Sequence, residues 1–205
     1  YNSGFFGLHY RATSSVVTVG ARFDSQIVNS DTGTLSLNVP WASGAVVFGA
    51  LDVFNAGTSV ATSNTGHITG VSDTQRAVVN EGAIEVTTDG TASGIGAFPT
   101  TTLAFESVFN SGEITVHGGQ LATGIDYRAF SFGDNVLVNS GSITVSDDTA
   151  ARDSAAIRFD TDGGMQLWNS GTISGDYAIL RNSLIFGGDP DPKQRQSAEI
   201  YNSGT

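Results

Sequence analysis

The chain has 205 residues; charged residues make up 14% of them, glycine contributes 26, and there is one methionine and no cysteine. Twenty acidic against 9 basic residues give a net charge of −11, which leaves little to neutralise phosphate and excludes nucleic acid and anionic membrane surfaces as partners. The missing cysteine removes disulfides, thiol nucleophiles and cysteine-ligated metals. The longest apolar run, 44–54, is interrupted by Asp52 and falls short of the ~18 residues of a spanning helix, so no membrane insertion of this segment is expected.

Taken in chain order, one unit recurs: an apolar pair, Asn, a small residue and Gly. It reads Tyr1-Asn2-Ser3-Gly4, Ile27-Val28-Asn29-Ser30, Val53-Phe54-Asn55-Ala56-Gly57 and Val78-Val79-Asn80-Glu81-Gly82. It continues as Val108-Phe109-Asn110-Ser111-Gly112, Leu137-Val138-Asn139-Ser140-Gly141, Leu167-Trp168-Asn169-Ser170-Gly171 and Ile200-Tyr201-Asn202-Ser203-Gly204. Successive asparagines are 27, 26, 25, 30, 29, 30 and 33 residues apart. Each period holds three strand-like pieces. The first ends at the Asn. The second alternates with period two, as in Ile84/Val86, Ile114/Val116 and Ile143/Val145, with Ile173 in the same place. The third is expected to follow a variable loop, and several of these pieces open with a small-residue signal: Ala42-Ser43-Gly44, Ala92-Ser93-Gly94 and Ala122-Thr123-Gly124.

Three short strands per period of this length predict an all-β, right-handed parallel β-helix, a β-solenoid of about seven turns. A turn that cannot bury its own inner face is buried by its neighbours, stacked ~4.8 Å away. The whole of 1–205 is expected to form one solenoid segment. The chain opens and closes inside the same corner motif. It is therefore expected to be part of a longer chain or fibre, or a subunit that stacks end to end on its own kind.

Alternation places the motif asparagines, Asn2, Asn29, Asn55, Asn80, Asn110, Asn139, Asn169 and Asn202, on the inward side. Stacked amides there can bond to each other as a structural ladder. Either the Asn or the Gly is expected to supply a left-handed residue at the corner. The residue before each Asn points outward by the same alternation. Tyr1, Phe54, Phe109, Trp168 and Tyr201 are thereby predicted to form a contact stripe for a sugar or another chain.

The elements Asn110-Ser111-Gly112-Glu113-Ile114-Thr115-Val116, Asn139-Ser140-Gly141-Ser142-Ile143-Thr144-Val145 and Asn169-Ser170-Gly171-Thr172-Ile173-Ser174-Gly175 resemble the Asn-x-Gly-x-Ile repeats of bacterial autotransporter-type passenger domains. The resemblance implies a right-handed three-sided β-helix, an extracellular place at the bacterial cell surface, and adhesion, aggregation or scaffolding. It transfers no active-site residues.

The chemistry-bearing residues form no tight constellation. His9, His67 and His117 lack partners at metal-ligand spacing, and His117, before Gly118-Gly119, reads as an exposed loop residue. A Ser-His-Asp set has no local support. Asp24, Asp52, Asp134, Asp160, Asp162, Glu106 and Glu199 fall late in their turns, where neighbouring turns of a β-helix glycosidase or lyase carry paired carboxylates. Their offsets from the next Asn scatter, which favours a solvated face. Calcium at Asp160/Asp162 or Asp147-Asp148 would lack the full ligand loop. The loop 187–197, with Lys193 (the only lysine) and Arg195, and the stretch 147–153 are insertions of the kind that carry function on solenoids.

The expected function is that of a non-enzymatic extracellular rod: a surface passenger, stalk or filament subunit that stacks end to end, with a carbohydrate or cell-surface ligand. No catalytic residue, metal or cofactor is expected. The competing expectation is a carbohydrate-active β-helix enzyme.

Overall fold

The computed structural model describes residues 4–9, 26–40, 42–48, 52–72, 77–97, 107–129, 135–149, 154–161, 165–181 and 198–205. Among them are twenty strands, numbered β1–β20 in chain order, and no helix. The first sheet ends its strands on the motif asparagines and runs β2 (Gln26–Asn29), β5 (Asp52–Asn55), β8 (Ala77–Asn80), β11 (Ser107–Asn110), β14 (Asn135–Asn139), β17 (Met165–Asn169), β20 (Ala198–Asn202). The second runs β1 (Phe5–His9), β3 (Thr34–Val39), β6 (Thr58–Ser63), β9 (Ala83–Thr88), β12 (Glu113–Gly118), β15 (Ser142–Asp147), β18 (Thr172–Ser174). The third runs β4 (Ala42–Phe48), β7 (Gly66–Ser72), β10 (Thr91–Ala97), β13 (Leu121–Ala129), β16 (Ala155–Thr161), β19 (Tyr177–Arg181). Every pairing is parallel, and each coil contributes one strand to each sheet in turn. This is the parallel β-solenoid expected from the repeat.

The inward columns form the core. In the first sheet Val53, Val78, Val108, Leu137 and Leu167 stack in register and are buried. In the second sheet Ile84, Ile114 and Ile143 form one column and Val86, Val116 and Val145 the next. One coil departs from the pattern. There the second-sheet positions are Ser59 and Ala61, and Val60 faces outward. The volume is restored across the section, where Ile68 occupies the column filled by Ala92 and Ala122 in the coils that follow. Interiors are packed to a fixed density, so a small pair on one wall calls for a large residue on another.

The corners differ in character. The first-to-second corner takes two residues in most coils and four, 30–33, between β2 and β3. There Gly33 plays the usual motif glycine's part, its carbonyl accepting from the Thr58 N–H at 2.9 Å, as Gly57 accepts from Ala83. The second-to-third corner also takes two residues except at 148–154. The third-to-first connections vary from 49–51 and 162–164 to 98–106 and 182–197, and this corner accounts for much of the change in period.

The left-handed residue expected at the Asn-x-Gly corner is not found in its glycines. Among the described glycines a positive φ occurs at Gly66 (96°), at a second-to-third corner. The motif glycine answers a different constraint. A Cβ on Gly82 would lie 2.0 Å from the Gly57 carbonyl oxygen, and the same 2.0 Å separates Gly112 from Gly82, Gly141 from Gly112 and Gly171 from Gly141. The glycines stack backbone on backbone, and any side chain would collide with the coil before it.

Candidate functional site

The asparagine ladder is continuous over the described coils. Each amide donates from Nδ2 to the Oδ1 of the asparagine one coil on. The distance is 2.8 Å for Asn29 to Asn55 and Asn55 to Asn80, 2.7 Å for Asn80 to Asn110, Asn110 to Asn139 and Asn139 to Asn169, and 2.6 Å for Asn169 to Asn202. The same Nδ2 also faces its own corner carbonyl, as in Asn55 to Gly57 (3.2 Å) and Asn80 to Gly82 (3.3 Å), which fixes which end of the amide is nitrogen. The backbone carbonyl of Asn55 accepts from both Glu81 and Gly82 at 2.8 and 3.0 Å, and later corners repeat this. Asn29 through Asn169 are buried, and Asn202, in β20, is exposed. These residues are structural; their amides are consumed by one another.

On the outer face of the first sheet, the residues before the asparagines stand in register: Val28, Phe54, Val79, Phe109, Val138, Trp168 and Tyr201. Of the predicted stripe, Phe109, Trp168 and Tyr201 are exposed at 40%, 44% and 45%, while Phe54 is half-buried. Tyr1, like Asn2, lies outside the described residues. Aromatics recur every second strand from Phe54 to Trp168. Tyr201 then follows directly, its ring stacked on Trp168 with centroids 4.0 Å apart and planes 14° from parallel. The Tyr201 hydroxyl donates to Glu199 Oε2 at 3.1 Å, and this carboxylate holds the phenol above its ordinary pKa. A shallow open hollow of about 400 Å³ adjoins the pair, lined by Val138, Trp168, Ser170, Tyr201 and Ser203 among others.

The carboxylate candidates do not converge where they are described. Asp52 and Glu199 belong to one outward column, but β5 and β20 are separated by β8, β11, β14 and β17. At ~4.8 Å per strand that is about 24 Å, against the ~5–9.5 Å of a glycosidase pair. Asp160 is in register with Arg128, two residues along the same strand pair from Asp126 with Arg158, in the opposite charge order. Asp24, Glu106, Asp134, Asp162 and the loop 187–197, with Lys193 and Arg195, lie outside the described residues. Asp147 Oδ1 accepts the Thr149 backbone N–H at 2.9 Å, a local turn contact. Among the described residues no group of three or more His, Asp or Glu is placed to hold a metal ion.

His117 corrects the loop reading: it lies within β12, in register with Thr87 and Ser146. Its Nδ1 is 3.0 Å from Ser146 Oγ and its Nε2 is 3.6 Å from Asp148 Oδ2. A Ser, a His and an Asp are therefore brought together after all. The signal for this was available, because His117 follows Asn110 by the same offset as Ser146 follows Asn139. The order is reversed from a hydrolytic triad, in which Nε2 takes the serine proton and the carboxylate orients Nδ1. Asp148 is 67% exposed, so water screens the pair. This cluster is a cross-strand polar contact. His67 makes a polar contact along its own strand, its Nε2 3.3 Å from Thr69 Oγ1; of His9 only the backbone is described.

Comparison of the chain with protein-family models, with curated proteins and with solved structures finds no match.

Proposed function

We propose that this chain is a non-enzymatic, extracellular structural and adhesive rod, of the kind borne by bacterial surface passengers, stalks or filaments. The observation that carries the reading is the outer column of the first sheet, exposed and aromatic at Phe109, Trp168 and Tyr201 over a continuously laddered core. Exposed apolar patches of this sort are characteristic of contact surfaces. The Asn-x-Gly-x-Ile resemblance supplies the surface compartment. End-to-end stacking belongs to the same proposal. The separation of Asp52 from Glu199 weighs against the carbohydrate-active alternative.

The test has two arms. The purified chain is incubated with a broad panel of polysaccharides and assayed for new reducing ends and unsaturated products, and in parallel is applied to immobilised glycans and imaged for filaments. Binding or filaments without turnover is the expected result. Turnover that is lost in Asp160→Asn or Glu199→Gln would overturn the reading.

A further inference from the structure

We propose that the outer face of the first sheet is a self-pairing surface, and that its occupant is a second copy of this chain laid alongside the first. The column reads Val28, Phe54, Val79, Phe109, Val138, Trp168 in backbone register. From Val28 to Trp168 small and large side chains alternate, so the large ones recur every two strand spacings, ~9.6 Å; Tyr201 then follows Trp168 directly. A surface with that period is its own complement. A second copy displaced by one spacing, ~4.8 Å, sets its aromatics over the valines of the first and receives the first copy's aromatics over its own. Reversing the second copy preserves the alternation, so an antiparallel two-fold pair fits as well, and that arrangement closes on itself.

Charge singles out the same face. The neighbouring outward column runs Asp52, Ala77, Ser107, Val136, Gln166, Glu199. The four successive positions between its two carboxylates are uncharged, on a chain whose net charge is −11. Glu81 stands beyond Asn80 at the corner, on the edge of this strip. Two identical acidic rods repel over most orientations; among the described residues, bringing these faces together places no charge of these two columns opposite a like charge in the central coils.

Area sets the strength. The column from Val28 to Trp168 spans about 24 Å, and strands of this length are ~14 Å wide, so each copy offers roughly 350 Å². The total, about 700 Å², is below the 1,200–2,000 Å² of a standard stable interface. Pairing of single segments is therefore weak and transient, and it grows with the number of coils in contact. Side-by-side pairing is independent of end-to-end stacking, and loss of either leaves the other intact.

The chain has no cysteine, so single cysteines report uniquely on proximity. Ser107→Cys, near the middle of the face, is compared with Thr144→Cys, on the outer side of the second sheet, under mild oxidation across a concentration series. Sedimentation follows association of the unmodified chain in parallel. We expect a concentration-dependent dimer, a disulfide-linked dimer from Ser107→Cys, and none from Thr144→Cys. Adding Phe109→Ser with Trp168→Ser lowers the yield at least about tenfold while circular dichroism is unchanged. Should that variant misfold, Val138→Phe, which fills a hollow of the column without deleting a side chain, serves instead and lowers the yield likewise. A monomer throughout the accessible concentration range, equal crosslinking from both cysteines, or oligosaccharide binding to this face in place of pairing would each overturn the proposal.

Discussion

At the scale of the residue, Asn110 shows what the ladder costs to break. It donates to Asn139 and accepts from Asn80, both at 2.7 Å, and it is 1% exposed. Asn110→Ala deletes both bonds and leaves the Asn80 donor and the Asn139 acceptor buried without them. The expected loss is about 2–4 kcal/mol in a urea melt, since each orphaned buried group costs about 1–3 kcal/mol. Ser59 presents the opposite case. Its side chain is fully buried in the second sheet's inward column, and Oγ has no hydrogen-bond partner. Ser59→Ala removes the desolvated hydroxyl at nearly constant shape, and the midpoint is expected to rise by the equivalent of about 1 kcal/mol. Tyr201 carries a pH prediction. Glu199 raises the phenol's pKa, so the Tyr201–Glu199 contact is present below the ordinary tyrosine pKa and is lost as pH rises through the elevated one. In an ultraviolet titration, Glu199→Gln is expected to move one of the chain's 5 tyrosines to lower pH.

At the scale of the element, the third sheet explains the Ala-Ser-Gly signal that opens its strands. A Cβ on Gly94 would sit 2.6 Å from the Gly124 carbonyl oxygen and 2.6 Å from the Ile114 γ-methyl. Gly124 meets the Ile143 γ-methyl in the same way at 2.4 Å. The backbone of one coil is thus packed directly against the isoleucine of the next, and a larger residue would push strand from strand. Gly94→Ala is expected to cost about 1–3 kcal/mol, the range for overpacking, and the loss should be reduced in the double variant with Ile114→Leu, which has no branch at Cβ and so lacks the contacting γ-methyl. Additive losses in a double-mutant cycle would show that strain, if present, is relieved elsewhere. The exchange of Ile68 for Ser59 and Ala61 follows the same logic within one coil: the section holds a set volume, and the three walls share it.

At the scale of the whole molecule, the surface is acidic and the core is a stack of nearly identical layers. Contacts run chiefly between adjacent coils, so stability accumulates by nearest-neighbour terms. Self-repulsion among rods is governed by screening. The Debye length shrinks from ~30 Å at 0.01 M salt to ~8 Å at 0.15 M. Side-by-side association through the uncharged strip is expected to strengthen over that range, as read by sedimentation at fixed protein concentration. Weakening with added salt would indicate that an ion pair, rather than the Val–Phe–Trp column, holds the copies together.

Much of this architecture was legible from the repeat alone. The Asn spacing placed the first and second strands of nearly every coil, because these are tied to the corner by a short, almost constant offset. It also predicted the inward asparagines and the outward aromatics; the same offset relates His117 to Ser146, a meeting that the loop reading of His117 missed. The bookkeeping fails at the third sheet. Asp126 follows Asn110 by 16 residues and Arg158 follows Asn139 by 19, yet the two are in register, because 148–154 intervenes before β16. Insertions between sheets erase the phase, so the charge-swapped pairing of Asp126 and Arg128 with Arg158 and Asp160 needed the coordinates. The reason for each motif glycine was likewise beyond a one-dimensional reading. Sequence suggests conformational freedom, whereas the constraint is another coil's carbonyl 2.0 Å from where a side chain would begin. Local pattern determined which way each strand faces. The tertiary stack decided what each face meets, since that depends on residues some 25 to 33 positions away in the neighbouring coil.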